Sequence, residues 1–172
     1  MGGSIFLTIF FGIFFAVGFG ILGFGLRSMH MSKQAESWPT APAEITSSDF
    51  IVSSDDDGTT YRTKLTYNYN VAGRDFTGKK IAFGYAGSSS RKFHDDIYDA
   101  LPVGSQVAAR YNPDNPEQAV LSFGINQSIM FLILFGATWT LFTAGMAAMF
   151  WLSETGAGGL VENLVIYSRG RG

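Results

Sequence analysis

The sequence predicts a membrane α plus β fold, with two transmembrane helices flanking a small, mostly antiparallel β-domain of about five strands and one short helix. Three observations carry this. Uncharged apolar stretches occupy residues 5–26 and 129–152, each near the roughly 20 residues that cross a bilayer. Between them Leu65, Tyr67, Tyr69 and Val71 alternate with Thr66, Asn68 and Asn70, the period-2 signature of a strand with one wet face. The composition, 47% hydrophobic and only 15% charged, is too apolar for an ordinary soluble domain, and the excess lies in the two stretches.

The first stretch competes with a secretory signal peptide. Its apolar core is long for that class and no basic residue precedes it, so a retained anchor is expected. Phe6 stands where a myristoylation motif needs Ser or Thr. Gly12, Ala16 and Gly20 recur every fourth residue, as do Gly136, Thr140, Ala144 and Ala148 in the second stretch. Such small-residue stripes predict that the helices pack on each other as a hairpin; facing outward, they would instead suit self-association or docking on a membrane complex. Neither stretch holds an ionisable residue, which argues against pumps, proton relays and voltage sensors. Arg27 and Trp151 fall where snorkelling and interfacial side chains belong.

The extramembrane β-rich domain is expected over residues 38–123. Met29-His30-Met31, ahead of it, reads as an interfacial spacer, with a soft copper(I) site as the sharper alternative. Trp38-Pro39 and Pro42 block helix continuation and deliver the chain extended into a first strand around residues 43–47, prolonged by Ile51 and Val52. Asp55-Asp56-Asp57-Gly58 is a solvated turn; calcium loops place carboxylates at alternate positions, whereas these are consecutive. A strand, the turn Ala72-Gly73-Arg74 and a return carrying Phe76, Ile81 and Phe83 make the central hairpin. The Gly84–Ser90 run lacks the Walker spacing and reads as a loop.

A short helix follows over residues 91–101, with Phe93, Ile97 and Leu101 on its buried side. His94, Asp95, Asp96 and Asp99 read as its hydrated face, although they are the chain's one His-carboxylate cluster and His94 with Asp95 or Asp99 is a candidate for metal binding or acid–base work. Residues 106–111 and 119–121 complete the strands around the turn Asn112-Pro113-Asp114-Asn115-Pro116. Residues 153–172 form a glycine-rich tail whose apolar run, Leu160 to Tyr167, suits an interfacial helix or an added strand.

Trp38-Pro39 with Ala43, Ile45 and Ser47, then Tyr67, Tyr69, Val71 and Gly73, then Gly104, Val107, Tyr111, Pro113 and Pro116 form an ordered set. In that set the chain resembles a widespread bacterial family described as a domain of unknown function. The resemblance spans residues 38–121. It implies a small β-rich domain beside or between membrane helices, and a multi-pass place in the bacterial inner membrane. It brings no catalytic residue with it.

Net charge is −2 and no basic, aromatic-interleaved patch is present, so nucleic acid is not an expected partner. With no cysteine, disulfides, thiolate metal sites and cysteine nucleophiles are excluded. No cofactor is implied, and no nucleophile–base pair stands out in the sequence. The expected partners are the lipid bilayer and a protein, either in the membrane or a second copy. The reading is a non-enzymatic membrane protein presenting its β-domain for contact, as an accessory or assembly subunit. The alternatives are an immunity protein against a membrane-acting or envelope toxin, and a membrane-tethered enzyme or metal-handling protein using His94. Arg27 and Lys33 oppose Arg169 and Arg171, leaving the side of the membrane that carries the domain open.

Overall fold

The computed structural model describes residues 2–162, with side chains from residue 5 to residue 153. Along the chain run α1 (Gly2–Ala35), β1 (Thr40–Asp55), β2 (Gly58–Val71), β3 (Arg74–Gly78), α2 (Arg91–Ala100), β4 (Gln106–Asn112), β5 (Asn115–Val120) and α3 (Gln127–Glu162). The fold class predicted from the sequence is the one observed: two apolar helices flank a five-stranded antiparallel sheet and one short helix.

Both long helices are long and apolar enough to cross a membrane, over Ile5–Ala35 and Gln127–Ser153. The 34 residues of α1 make a rod of roughly 50 Å at 1.5 Å per residue, against about 30 Å of hydrocarbon. Past the expected membrane segment, α1 continues without a break from Leu26 to Ala35. Nothing between residues 27 and 35 breaks a helix, and Pro39 is the first residue that does. At the other end, residues 153–162 of the expected tail continue α3. The rest of the tail, with most of the Leu160 to Tyr167 run, lies outside the described residues.

The strand order is β3-β2-β1-β4-β5, all neighbours antiparallel. Ala72 and Gly73 both take positive φ, 51° and 80°, the geometry of the two-residue turns that match strand twist. β1 is much longer than expected and carries a bulge between Ile45 and Ser47, which bends it away from β4. The return strand is shorter than expected. β3 stops at Gly78, whose missing side chain leaves space for the Tyr67 ring. Ile81 and Phe83 then turn inward as core residues rather than strand residues.

The sheet curls until β3 and β5, at opposite ends of the order, approach each other. The Tyr69 hydroxyl donates to the Pro116 carbonyl, and the N–H groups of Leu121 and Ser122 donate to the Ile81 carbonyl. Inside the curl lie Ala41, Ala43 and Ala109 with Ile45, Leu65, Tyr67 and Tyr69. Small residues on β1 and β4 leave room for the tyrosines of β2. Ile97 of α2 and Leu101 pack against this core.

Candidate functional site

The helices meet along a seam that uses only part of the two small-residue stripes. Gly136 lies against the main chain of α1: a Cβ there would stand 2.7 Å from the Leu22 nitrogen. Thr140 faces Gly18, where an added Cβ would stand 2.5 Å from its Oγ1 and 2.9 Å from Trp139 Cδ1. Trp139 stacks on Phe14 at 5.3 Å, and its Nε1–H donates to the Phe14 carbonyl at 2.9 Å. Gly25 receives Ile133, and Phe11 meets Phe150, so the helices run antiparallel.

On α1 the expected stripe lies elsewhere. Gly12, Ala16 and Gly20 are exposed, and nothing stands within 4 Å of a Cβ built at either glycine. Ala144 and Ala148 are exposed as well. The seam is set by fitting large residues of α3 onto Gly18 and Gly25, seven residues apart and so on one helical face. The four-residue stripe of α1 is turned outward, the second of the two placements the sequence allows.

A hydrogen-bonded neck joins this hairpin to the sheet. Ser28, Ser32 and Ala35 are buried on one face of α1, and the Ser32 hydroxyl donates to the Gly124 carbonyl at 2.7 Å. Asn126 caps α3 by accepting from Ile129 N–H at 3.0 Å, and its amide donates to the Phe83 carbonyl at 2.9 Å. Arg110 of β4 donates to the carbonyls of Glu36 and Trp38 just past the end of α1 and lies over the Phe123 ring at 4.2 Å. Met29, His30 and Met31 are successive residues of α1, so their side chains diverge by about 100° each. Met31 packs beside Trp38 and Phe83 while His30 is exposed.

His94 is a correction, for it is fully buried rather than hydrated. Its Nδ1 lies 2.7 Å from the Tyr85 hydroxyl and its Nε2 2.9 Å from Ser88 Oγ. Its carbonyl accepts from Thr63 Oγ1. Burial holds the imidazole below its ordinary pKa, the Arg62 charge adds to this, and Asp95 opposes it. Asp95 and Asp96 form exposed ion pairs with Arg91 and Lys92, so the structure does not join them to the His94 ring as a site. Among the described residues, no three His, Asp or Glu side chains stand where they could hold a metal ion.

The structure does bring together a serine–histidine pair that the sequence hides. The exposed hydroxyl of Ser88 and the buried ring of His94 resemble a nucleophile beside a base. Both ring nitrogens are engaged, Nδ1 by the Tyr85 hydroxyl, which also accepts from Thr63 N–H at 3.1 Å, and Nε2 by Ser88, so the direction of the Ser88 bond follows the tautomer of the ring. Ser88 also pairs with Tyr61 through both its backbone groups and accepts from Ser90 N–H. The network fastens the loop before α2 onto the free edge of β2. One six-residue separation, 88 to 94, was the available signal, and only burial gives it meaning.

One edge stays open. β4 pairs with β1 only over Thr40–Glu44, so beyond Ile45 the outer edge of β1, as far as Asp55, has no strand partner among the described residues. Such an edge accepts an added strand.

The sheet is the part of the molecule that a known family shares. The family described as Domain of unknown function (DUF3592) matches residues 41–126, half of the chain. The chain belongs to this family. The DUF3592 region begins within β1 and ends at the residue that caps α3, so it holds the whole curled sheet after the first residue of β1 and leaves out both long helices. Among curated proteins none matches the chain.

Proposed function

We propose that this chain is a non-enzymatic, two-span protein of the bacterial inner membrane that presents its β-domain for protein contact, as an accessory or assembly subunit. The observation that carries the reading is the outward face of α1. Gly18, Gly25 and Gly136 each have a steric reason within the monomer, whereas Gly12, Ala16 and Gly20 have none. Glycine costs helix stability, by about 1 kcal/mol relative to alanine, and a flat strip of this kind lets a partner helix approach closely. The open edge of β1 offers a second contact outside the lipid, and the neck holds the two at a fixed spacing.

Gentle detergent extraction followed by mass spectrometry of attached species tests the reading. A stoichiometric membrane partner or a second copy is expected, lost in Gly12→Leu/Gly20→Leu and kept in His94→Gln. A lone monomer from both wild type and variant contradicts it.

A further inference from the structure

Where α1 leaves its apolar stretch, a cavity of about 340 Å³ opens between the helix and the sheet. Three cations line it from three separate places in the chain: Arg27 of α1, Arg62 of β2 and Lys80 after β3. Ser28 and Gln118 add polar groups to the wall, and no Asp or Glu lines it. Among the described residues the ion pairs are Arg91–Asp95 and Lys92–Asp96, both on α2, so none of the three cavity cations has a carboxylate partner. Lys80 Nζ lies 5.4 Å from the centre of the Phe83 ring.

Like charges gathered around one cavity repel, and they stay together most readily when an anion is shared between them. Two guanidinium forks and an ammonium suit the oxygens of a phosphate group. The place is equally specific. Arg27 follows the last residue of the uncharged stretch, which is the depth of lipid headgroups, and Phe24 flanks the cavity one turn deeper while 58% exposed. A lipid with its phosphate between the cations can lay an acyl chain along that ring; a free phosphate gains nothing from it.

We infer that this cavity binds the phosphate of an anionic phospholipid and so seats the β-domain on the membrane surface. The inference rests on the two-span reading above. It does not depend on the partner that reading proposes.

The test uses the full-length protein in micelles of an uncharged detergent, with its melting temperature followed as phosphatidylglycerol, phosphatidylcholine or inorganic phosphate is added. Phosphatidylglycerol is expected to raise the melting temperature where the other two do not. The apparent affinity should fall about fivefold for each of R27Q, R62Q and K80Q, the usual worth of one basic residue at an anionic surface. K92Q, which removes an exposed cation of α2 away from the cavity, should leave the affinity unchanged. An equal response in the triple variant and the wild type overturns the site, and an equal response to inorganic phosphate overturns its assignment to lipid. Recovery of the protein from membranes without detergent would instead remove the two-span reading, so the two failures are distinct.

Discussion

Gly136 in the helix hairpin and Gly78 in the β-domain both stand where a methyl group would overlap a neighbour, yet the neighbours differ in kind. At Gly136 the neighbour is main chain, the nitrogen and Cα of Leu22. At Gly78 it is the ring of Tyr67, fully buried, with its hydroxyl donating to the Lys80 carbonyl at 3.1 Å. The hairpin is thus held by backbone approach, which dispersion and shape reward even in lipid. The domain is held by large amphipathic rings whose polar ends must find carbonyls. Burial keeps the Tyr67 phenol protonated far above its ordinary range, with Tyr69 adding to the effect, so this donor persists at any physiological pH.

The largest effect that separates the two regions is expected from Tyr67→Ala, at about 3–5 kcal/mol of domain stability, read by denaturant unfolding in detergent. The helix hairpin should outlast the domain in that variant. Loss of both together would show that the neck makes them one cooperative unit. The converse substitution, Gly136→Val, forces a branched side chain against the Leu22 main chain and should cost about 1–3 kcal/mol. Its signature is local: the fluorescence of Trp139, stacked on Phe14, shifts while the domain's unfolding midpoint stays.

A third test concerns the loop lock. His94→Ala removes a fully buried ring and two hydrogen bonds and should destabilise the domain by about 2–4 kcal/mol. The same residue gives a pH dependence. Its folded pKa lies below the unfolded value, near 6.5, so the unfolded state binds more protons as pH falls. The stability that neutral His94 provides is complete above about pH 6.5 and is lost as pH drops toward the folded value. Melting temperatures from pH 7.5 to pH 5 should therefore fall more steeply in the wild type than in His94→Gln. The smallest effect is expected at Ser48, whose buried hydroxyl lacks a hydrogen-bond partner among the described residues. Ser48→Ala should leave stability unchanged or raise it by up to about 1 kcal/mol.

The same contrast explains which features could be read in the sequence. In β2 the alternation of Leu65, Tyr67 and Tyr69 with Lys64, Thr66 and Asn68 states which side faces inward, because one face meets water and the other does not. The long helices carry no such record. They are apolar all round, so outward-facing and seam-facing positions look alike, and the four-residue stripe in α1 was no guide to the seam. Gly18 and Gly25 mark it, and their role depends on Trp139, Thr140 and Ile133 arriving from more than a hundred residues away. His94 is hidden for a related reason. Its neighbours Asp95 and Asp96 are solvated, and its burial follows from the loop that Tyr61 and Ser88 pin across the sheet edge. The basic cavity is a third case, since residues 27, 62 and 80 converge only after the sheet has curled against α1.

In the proposed function α1 has two differently employed faces, an inner one closed on α3 and an outer one reserved for another molecule. The chain has no cysteine, so a single introduced cysteine can carry a maleimide photo-crosslinker at one chosen position in native membranes. Ala16→Cys on the outer face should yield an adduct of higher mass with one defined partner or a second copy, while Val17→Cys, also exposed but about 100° round the helix from Ala16, should yield none. No adduct at Ala16, or the same adducts at both positions, would contradict it.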